Sequence, residues 1–148
     1  MNRIIGIVMA TNLEARPLID RLHLTKVTSC YGNDRFRLII CGMGPAAAEQ
    51  GTGELISHNN PYLMVNLGAA GATREDMAIG AIFAVHRVTL FPGDGPEPLY
   101  EPMDTLEGVP RARLITVSRP VLDAGERERL GPLGELIDTA GAGFPRAC

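Results

Sequence analysis

The sequence predicts an α/β fold, a mostly parallel sheet covered by helices on both faces. Two observations carry the prediction. The continuous apolar run Ile4 to Met9 has the composition of a strand buried on both sides. Helical and strand-like patterns then alternate along the rest of the chain, the order that builds a parallel sheet with helices above and below it. Aromatic residues are only 5% of the chain and Trp is absent, so the core must be built from Ile, Leu, Val and Ala.

The elements follow in order. After the first strand, "LEARPLIDRL" places Leu13, Leu18 and Leu22 on one helical face, with Pro17 expected near the first turn, where its missing N–H costs little. "KVTSCYGNDRFRLIICG" reads as two strands around a Gly-Asn-Asp turn. "PAAAEQGTGELISHNN" opens with Pro at a first helical position and closes in polar residues, a helix weakened by its two Gly residues. "YLMVNL" and "AIFAVHRVTL" are strands separated by small residues and the acidic loop "TREDMAIG". Residues 91 to 110, rich in Pro, Gly and acids, read as a long loop suited to a flap. "ARLITV" is a strand, "DAGERERLGPLGE" a short polar helix with a loop, and "LIDTAGAGFPRAC" a last strand running into small residues.

With 148 residues, one domain over 1–148 is expected, large enough for a core without disulfides or metals. The net charge of −3 offers no basic field for a polyanion, which argues against nucleic acid as a partner. The first apolar run is too short for a secretory segment, and no later run reaches the length of a membrane span. The three Cys residues, Cys30, Cys41 and Cys148, are an odd set without CxxC spacing and read as reduced thiols of a cytoplasmic protein.

Several stretches invite a chemical reading. "GMGPAA" from Gly42 fits the loose pattern G-x-G-x-x-A between a strand and a helix. A dinucleotide fingerprint, however, belongs to the first strand–helix turn and needs an acid at the end of the next strand, where Asn66 and Leu67 stand. "GAAGA" lies beyond a strand's carboxyl end, where open α/β sheets bind ligands, and its smallness serves a ligand or a tight turn equally well. Glu14 follows the first strand at the same edge and is either a general base or a first-turn acid favoured by the helix dipole. His23, His58 and His86 are scattered without metal-site spacing, "ERER" is a solvated charge-paired face, and Ser118 lacks a nucleophile-elbow context.

Taken together, "IGIVMATNLEARPLIDRL", "CGMGPAAAEQGTGELI", "YLMVNLGAAGATREDMAIGAIFAVHRVTL" and "LIDTAGAGF" resemble, in order, the landmarks of the purine and uridine phosphorylase superfamily. The likeness is strongest to its nucleosidase branch, the methylthioadenosine/S-adenosylhomocysteine nucleosidases and futalosine hydrolases. It implies a three-layer αβα sandwich with a mixed, mostly parallel sheet and a purine nucleoside across the carboxyl ends of the strands. It further implies a cytoplasmic homodimer or higher homo-oligomer, with no cofactor and no metal. By that resemblance Glu14 is the carboxylate that activates water, Gly44 the glycine turn facing the pocket, and Ala69, Ala70 and Gly71 the lining of sugar and base. Val121 and Leu122 would lie beside the purine, and Thr139 and Ala140 at the ribose. Phosphorylases of the superfamily place a Ser or Thr hydroxyl on phosphate where this chain has Ala69, whose methyl cannot donate a hydrogen bond, so water is the expected nucleophile.

Two departures from the family pattern qualify what the resemblance implies. Family members read Met-Glu at the end of the last strand, the Glu binding the ribose hydroxyls, where this chain has Thr139 and Ala140. Losing such a charged hydrogen bond costs about 1.5 to 3 kcal/mol. The family's general acid, an Asp on a further strand, falls beyond Cys148, so the chain is expected to be shortened at its C-terminal side, and Pro145 is expected to disturb the helix there. A nucleosidase, a nucleoside-binding relative that does not cleave, and a phosphorylase are therefore the three functions weighed, the last disfavoured by Ala69.

Overall fold

The apolar run that opens the chain becomes an inner strand of a five-stranded sheet. The structure, a computed structural model, describes residues 3–91, 96–101 and 106–148. Its elements run β1 (Ile5–Met9), α1 (Asn12–Arg21), β2 (Thr25–Val27), β3 (Cys30–Gly32), β4 (Phe36–Ile40), α2 (Pro45–Asn59), β5 (Leu63–Asn66), β6 (Gly71–Ala72), β7 (Ala84–Phe91), β8 (Glu97–Tyr100), β9 (Arg111–Val117), α3 (Ala124–Leu130), β10 (Leu136–Asp138) and α4 (Gly143–Ala147). They gather into two compact units, one made of the chain up to Ala69 with Gly143–Cys148, the other of Ala70–Ala142.

In the first unit the sheet order is β2-β3-β4-β1-β5. β4, β1 and β5 run parallel, with Ile7 opposite Leu38 on one side and Val65 on the other, while β2 and β3 add antiparallel strands. Alternate residues of a strand point to opposite faces, and both faces are covered. Ile7, Met9 and Leu38 pack with Ala15, Leu18 and Ile19 of α1 and with Leu22 at its C-cap. Val8 and Ile39 pack on the other side with Leu55 of α2 and Phe144 of α4. The first unit is thus a three-layer αβα sandwich, as the resemblance implied.

The second unit repeats the logic with order β6-β10-β9-β7-β8. β10, β9 and β7 are parallel, and the edge strands β6 and β8 are antiparallel. Val88, Ala112, Leu114 and Leu136 form one buried cluster, and Ile115, Val117 and Ile137 form another with Leu130 of α3. Both sheets are therefore mixed, each with three parallel strands.

Local expectations needed correction at four places. Pro17 is inside α1 rather than in its first turn, because the helix begins at Asn12 behind an N-cap at Thr11. The expected two-strand hairpin is a three-strand meander: β4 pairs with β3 across Asn33 as expected, and β3 also pairs back onto β2. That tighter turn needs the positive φ of 56° at Thr28. The loop expected over residues 91 to 110 contains β8, whose Pro98 is tolerated because the strand lies at the sheet edge; residues 92–95 and 102–105 of the expected flap lie outside the described residues. Pro145 sits at the third position of α4, where no intrahelical N–H bond is due, so the helix forms.

One ion pair makes the second unit sensitive to acid. The Arg113 guanidinium donates to Glu135 Oε1 at 2.6 Å and Arg113 N donates to Oε2 at 2.7 Å, next to the start of β10. The hydrogen bond from the Arg113 side chain holds the Glu135 carboxyl down from its ordinary 4.5 to about 2. Such a carboxyl adds stability above its unfolded pKa and loses it as pH falls toward the folded value. Urea midpoints should therefore fall between pH 4.5 and about 2. The loss should be about 1–2 kcal/mol, less than the shift alone implies because solvent screens the pair. Arg113→Met should flatten that dependence.

Candidate active site

The parallel strands of the first unit end side by side, and the turns that leave them form one rim. The ladder continues past the strands, with Cys41 N on Met9 O at 2.9 Å, Gly42 N on Ala10 O at 3.0 Å and Leu67 N on Val8 O at 3.0 Å. Three segments are thereby held next to one another: Thr11–Glu14 after β1, Gly42–Gly44 after β4 and Leu67–Ala69 after β5. Each presents one exposed apolar side chain, Leu13, Met43 and Leu67.

Glu14 is the polar centre of this rim. At the third position of α1 it closes a capping box, its Oε2 accepting from Thr11 N at 3.0 Å and from Thr11 Oγ1 at 2.7 Å, while Thr11 Oγ1 accepts from Glu14 N at 3.3 Å. Its Oε1 crosses to the turn after β5 and accepts from Ala69 N at 2.9 Å. A Cβ on Gly68 would stand 3.5 Å from that oxygen. What approaches the small-residue turn is thus the Glu14 carboxylate: one oxygen closes the helix cap, and the other is held at an exposed turn.

Gly44 caps α2 with φ of 98°, a conformation that suits glycine, and an added Cβ there would meet nothing within 4 Å. The Cys41 thiol, behind it, donates to Met9 O and Gly42 O. Burial, helped by the nearby Glu14 charge, pushes its pKa up, so Cys41 is an uncharged thiol rather than a nucleophile.

The second unit holds the remaining sequence candidates, also beyond its parallel strands or beside them. Ala70 is exposed, and Gly71 pairs with Ile137 in the short β6. After β9, Val121 packs against the cluster of Ile115, Val117, Leu130 and Ile137, whereas Leu122 is 90% exposed. Thr139 and Ala140 lie half-buried in the turn after β10. That turn is built by Asp138, which accepts from Thr116 Oγ1 and from Gly141 N, both at 2.7 Å.

Two residues escaped the sequence reading. Thr11 was legible as the first letter of a Thr-x-x-Glu capping box ending at Glu14. Asp138 carried no signal, since its partner Thr116 is distant in sequence. Among the described residues no group of three or more His, Cys, Asp or Glu is placed to hold a metal ion, and no helix is long and apolar enough to cross a membrane.

Comparison with known proteins bears on this arrangement. A sequence profile described as the phosphorylase superfamily matches residues 5–131. A search of the curated proteins finds no match. Among solved structures, a futalosine hydrolase mutant of Helicobacter pylori is similar at TM-score 0.80 and 13% identity, over 99% of this chain and 79% of that one. The Campylobacter jejuni 5′-methylthioadenosine/S-adenosyl homocysteine nucleosidase is similar at TM-score 0.76 and 14% identity, over 99% and 80%. The corresponding nucleosidase from Helicobacter pylori, solved with butyl-thio-DADMe-Immucillin-A, is similar at TM-score 0.78 and 13% identity, over 100% and 79%.

Proposed function

The chain belongs to the phosphorylase superfamily, and from that premise we propose that it hydrolyses the N-glycosidic bond of a purine nucleoside of the methylthioadenosine or futalosine type. The observation that carries the reading is the bond from Ala69 N to Glu14 Oε1 at 2.9 Å. It sets a carboxylate at the strand ends, with one oxygen tied into a helix cap and the other at an exposed turn.

In the proposed reaction Glu14 Oε1 takes a proton from a water that attacks C1′ as the C1′–N bond breaks. The hydroxyl stays on the sugar, the bonding electrons leave with the purine, and solvent returns a proton to the purine nitrogen. Two features support water over phosphate as nucleophile. Ala69 has no side-chain hydroxyl to hold an anion, and its backbone donor is already engaged by a carboxylate, whose charge repels a phosphate. The apolar side chains of Leu13, Met43 and Leu67 on adjacent turns support a ligand with an apolar face, such as a nucleoside.

A second reading, nucleoside binding without cleavage, is favoured by the turn after β10. There Thr139 and Ala140 offer no carboxylate for a sugar, and the Asp138 carboxylate is engaged in building the turn. Chromatography of 5′-methylthioadenosine and futalosine incubated with the protein separates the readings. Hydrolysis predicts free purine base at a rate unchanged by added phosphate. Binding detected by calorimetry with no purine released would favour the second reading, and phosphate-dependent release would make the protein a phosphorylase.

A further inference from the structure

Resting on the hydrolase reading, we infer that Thr11 is a positioning residue that divides the Glu14 carboxylate into an anchored oxygen and a working one. Thr11 directs two donors at the same oxygen, its hydroxyl at 2.7 Å and its backbone N–H at 3.0 Å from Oε2. Oε1 is left to the turn after β5, where it accepts from Ala69 N. The terminal torsion of a Glu side chain is broad and roughly two-fold, so an unanchored carboxylate rotates freely. With Oε2 pinned, Oε1 is the oxygen that faces the exposed end of the turn.

The Thr11 hydroxyl does two separable things. It accepts from Glu14 N at 3.3 Å, which caps α1, and it donates its single proton to Glu14 Oε2. Capping needs only the acceptor, and Asp, Asn and Ser supply it as well as Thr. Positioning needs the donor. An ionised Asp at this place would cap the helix while donating nothing and setting a like charge against Glu14.

Thr11→Ser and Thr11→Asp therefore separate a structural cap from a positioning residue. Thr11→Ser should melt close to the wild-type temperature, and Thr11→Asp, which keeps the cap but sets two carboxylates together, somewhat below it. With 5′-methylthioadenosine as substrate, Thr11→Ser should keep the wild-type kcat, whereas Thr11→Asp should lower kcat by about 10- to 100-fold with KM little moved. A readout independent of catalysis is the Ala69 amide resonance in nitrogen–proton correlation spectra of the ligand-free protein. It should stay in place in Thr11→Ser and move in Thr11→Asp toward its position in Glu14→Ala, where the bond is gone. An unmoved Ala69 resonance in Thr11→Asp, or a wild-type kcat in that variant, overturns the inference. A wild type that releases no purine while the Ala69 resonance moves as described overturns the hydrolase reading and supports the anchoring.

Discussion

Glu14→Gln should lower purine release by roughly 10²- to 10⁴-fold, the loss expected when a general base is replaced by its uncharged isostere. The variant should remain folded, for a physical reason visible in the cap. Glu14 closes a capping box with Thr11, and Gln serves at that third helical position as Glu does. Gln has a single carbonyl oxygen, and with that oxygen accepting from Thr11 N the bond from Ala69 N is lost. Shape and cap are thus preserved while the proton acceptor and one hydrogen bond at the turn are removed. Steady-state release measured beside a melting curve checks both halves. An active Glu14→Gln variant would mean that the base lies elsewhere; inactivity accompanied by a large drop in melting temperature would mean that Glu14 acts chiefly through the cap.

Gly143→Ala should be the costly substitution in the fold of the first unit. A Cβ at Gly143 would stand 1.9 Å from Pro45 O and 2.9 Å from the Ala48 Cβ, because α4 packs directly on the first turn of α2. The obstacle is backbone, so relief requires α4 to lift or the Gly44–Pro45 turn to move. The expected destabilisation is about 3 kcal/mol, the upper end for overpacking, or a fall in melting temperature of about 6–12 °C. Gly53→Ala is the opposite case. It lies within α2 with nothing within 4 Å of an added Cβ. It should stabilise by about 0.5–1 kcal/mol through helix propensity alone. Thermal melts of the pair read the two signs, and equal effects would mean that α4 does not pack on α2 as described.

The contrast between these glycines also marks where the sequence was legible. β1, β4, β5, β7 and β9 announce themselves as apolar runs, and α2 announces its start through Gly44 and Pro45, because these signals are local. The two Gly residues of α2 read as weakness. Gly51 instead allows close approach, since a Cβ there would come 2.5 Å from the Cys41 Cβ. β8 was hidden by its Pro98 and Glu97, which an edge strand tolerates because one side of its ladder is open. Pro145 was read as a breaker although the first helical turn has no N–H bond to lose.

The candidate site was half legible for the same reason. The small-residue turn and Glu14 stand out individually, each with a bland reading beside the chemical one. Their meeting is a contact between residues 55 apart in the chain, made because β1 and β5 lie side by side and end together. No local pattern encodes that distance. The Thr11–Glu14 half of the geometry was written in a four-residue motif and needed only the capping box to be recognised.

The claim that a water held by Glu14 attacks C1′ is tested most directly by turnover of 5′-methylthioadenosine in water enriched in heavy oxygen, followed by mass analysis of the sugar. The account predicts that each released sugar carries one solvent oxygen, with the same yield in phosphate-free buffer, and that Glu14→Gln forms labelled sugar only at the strongly reduced rate. A sugar 1-phosphate as product, or labelled sugar formed by Glu14→Gln as fast as by the wild type, would contradict it.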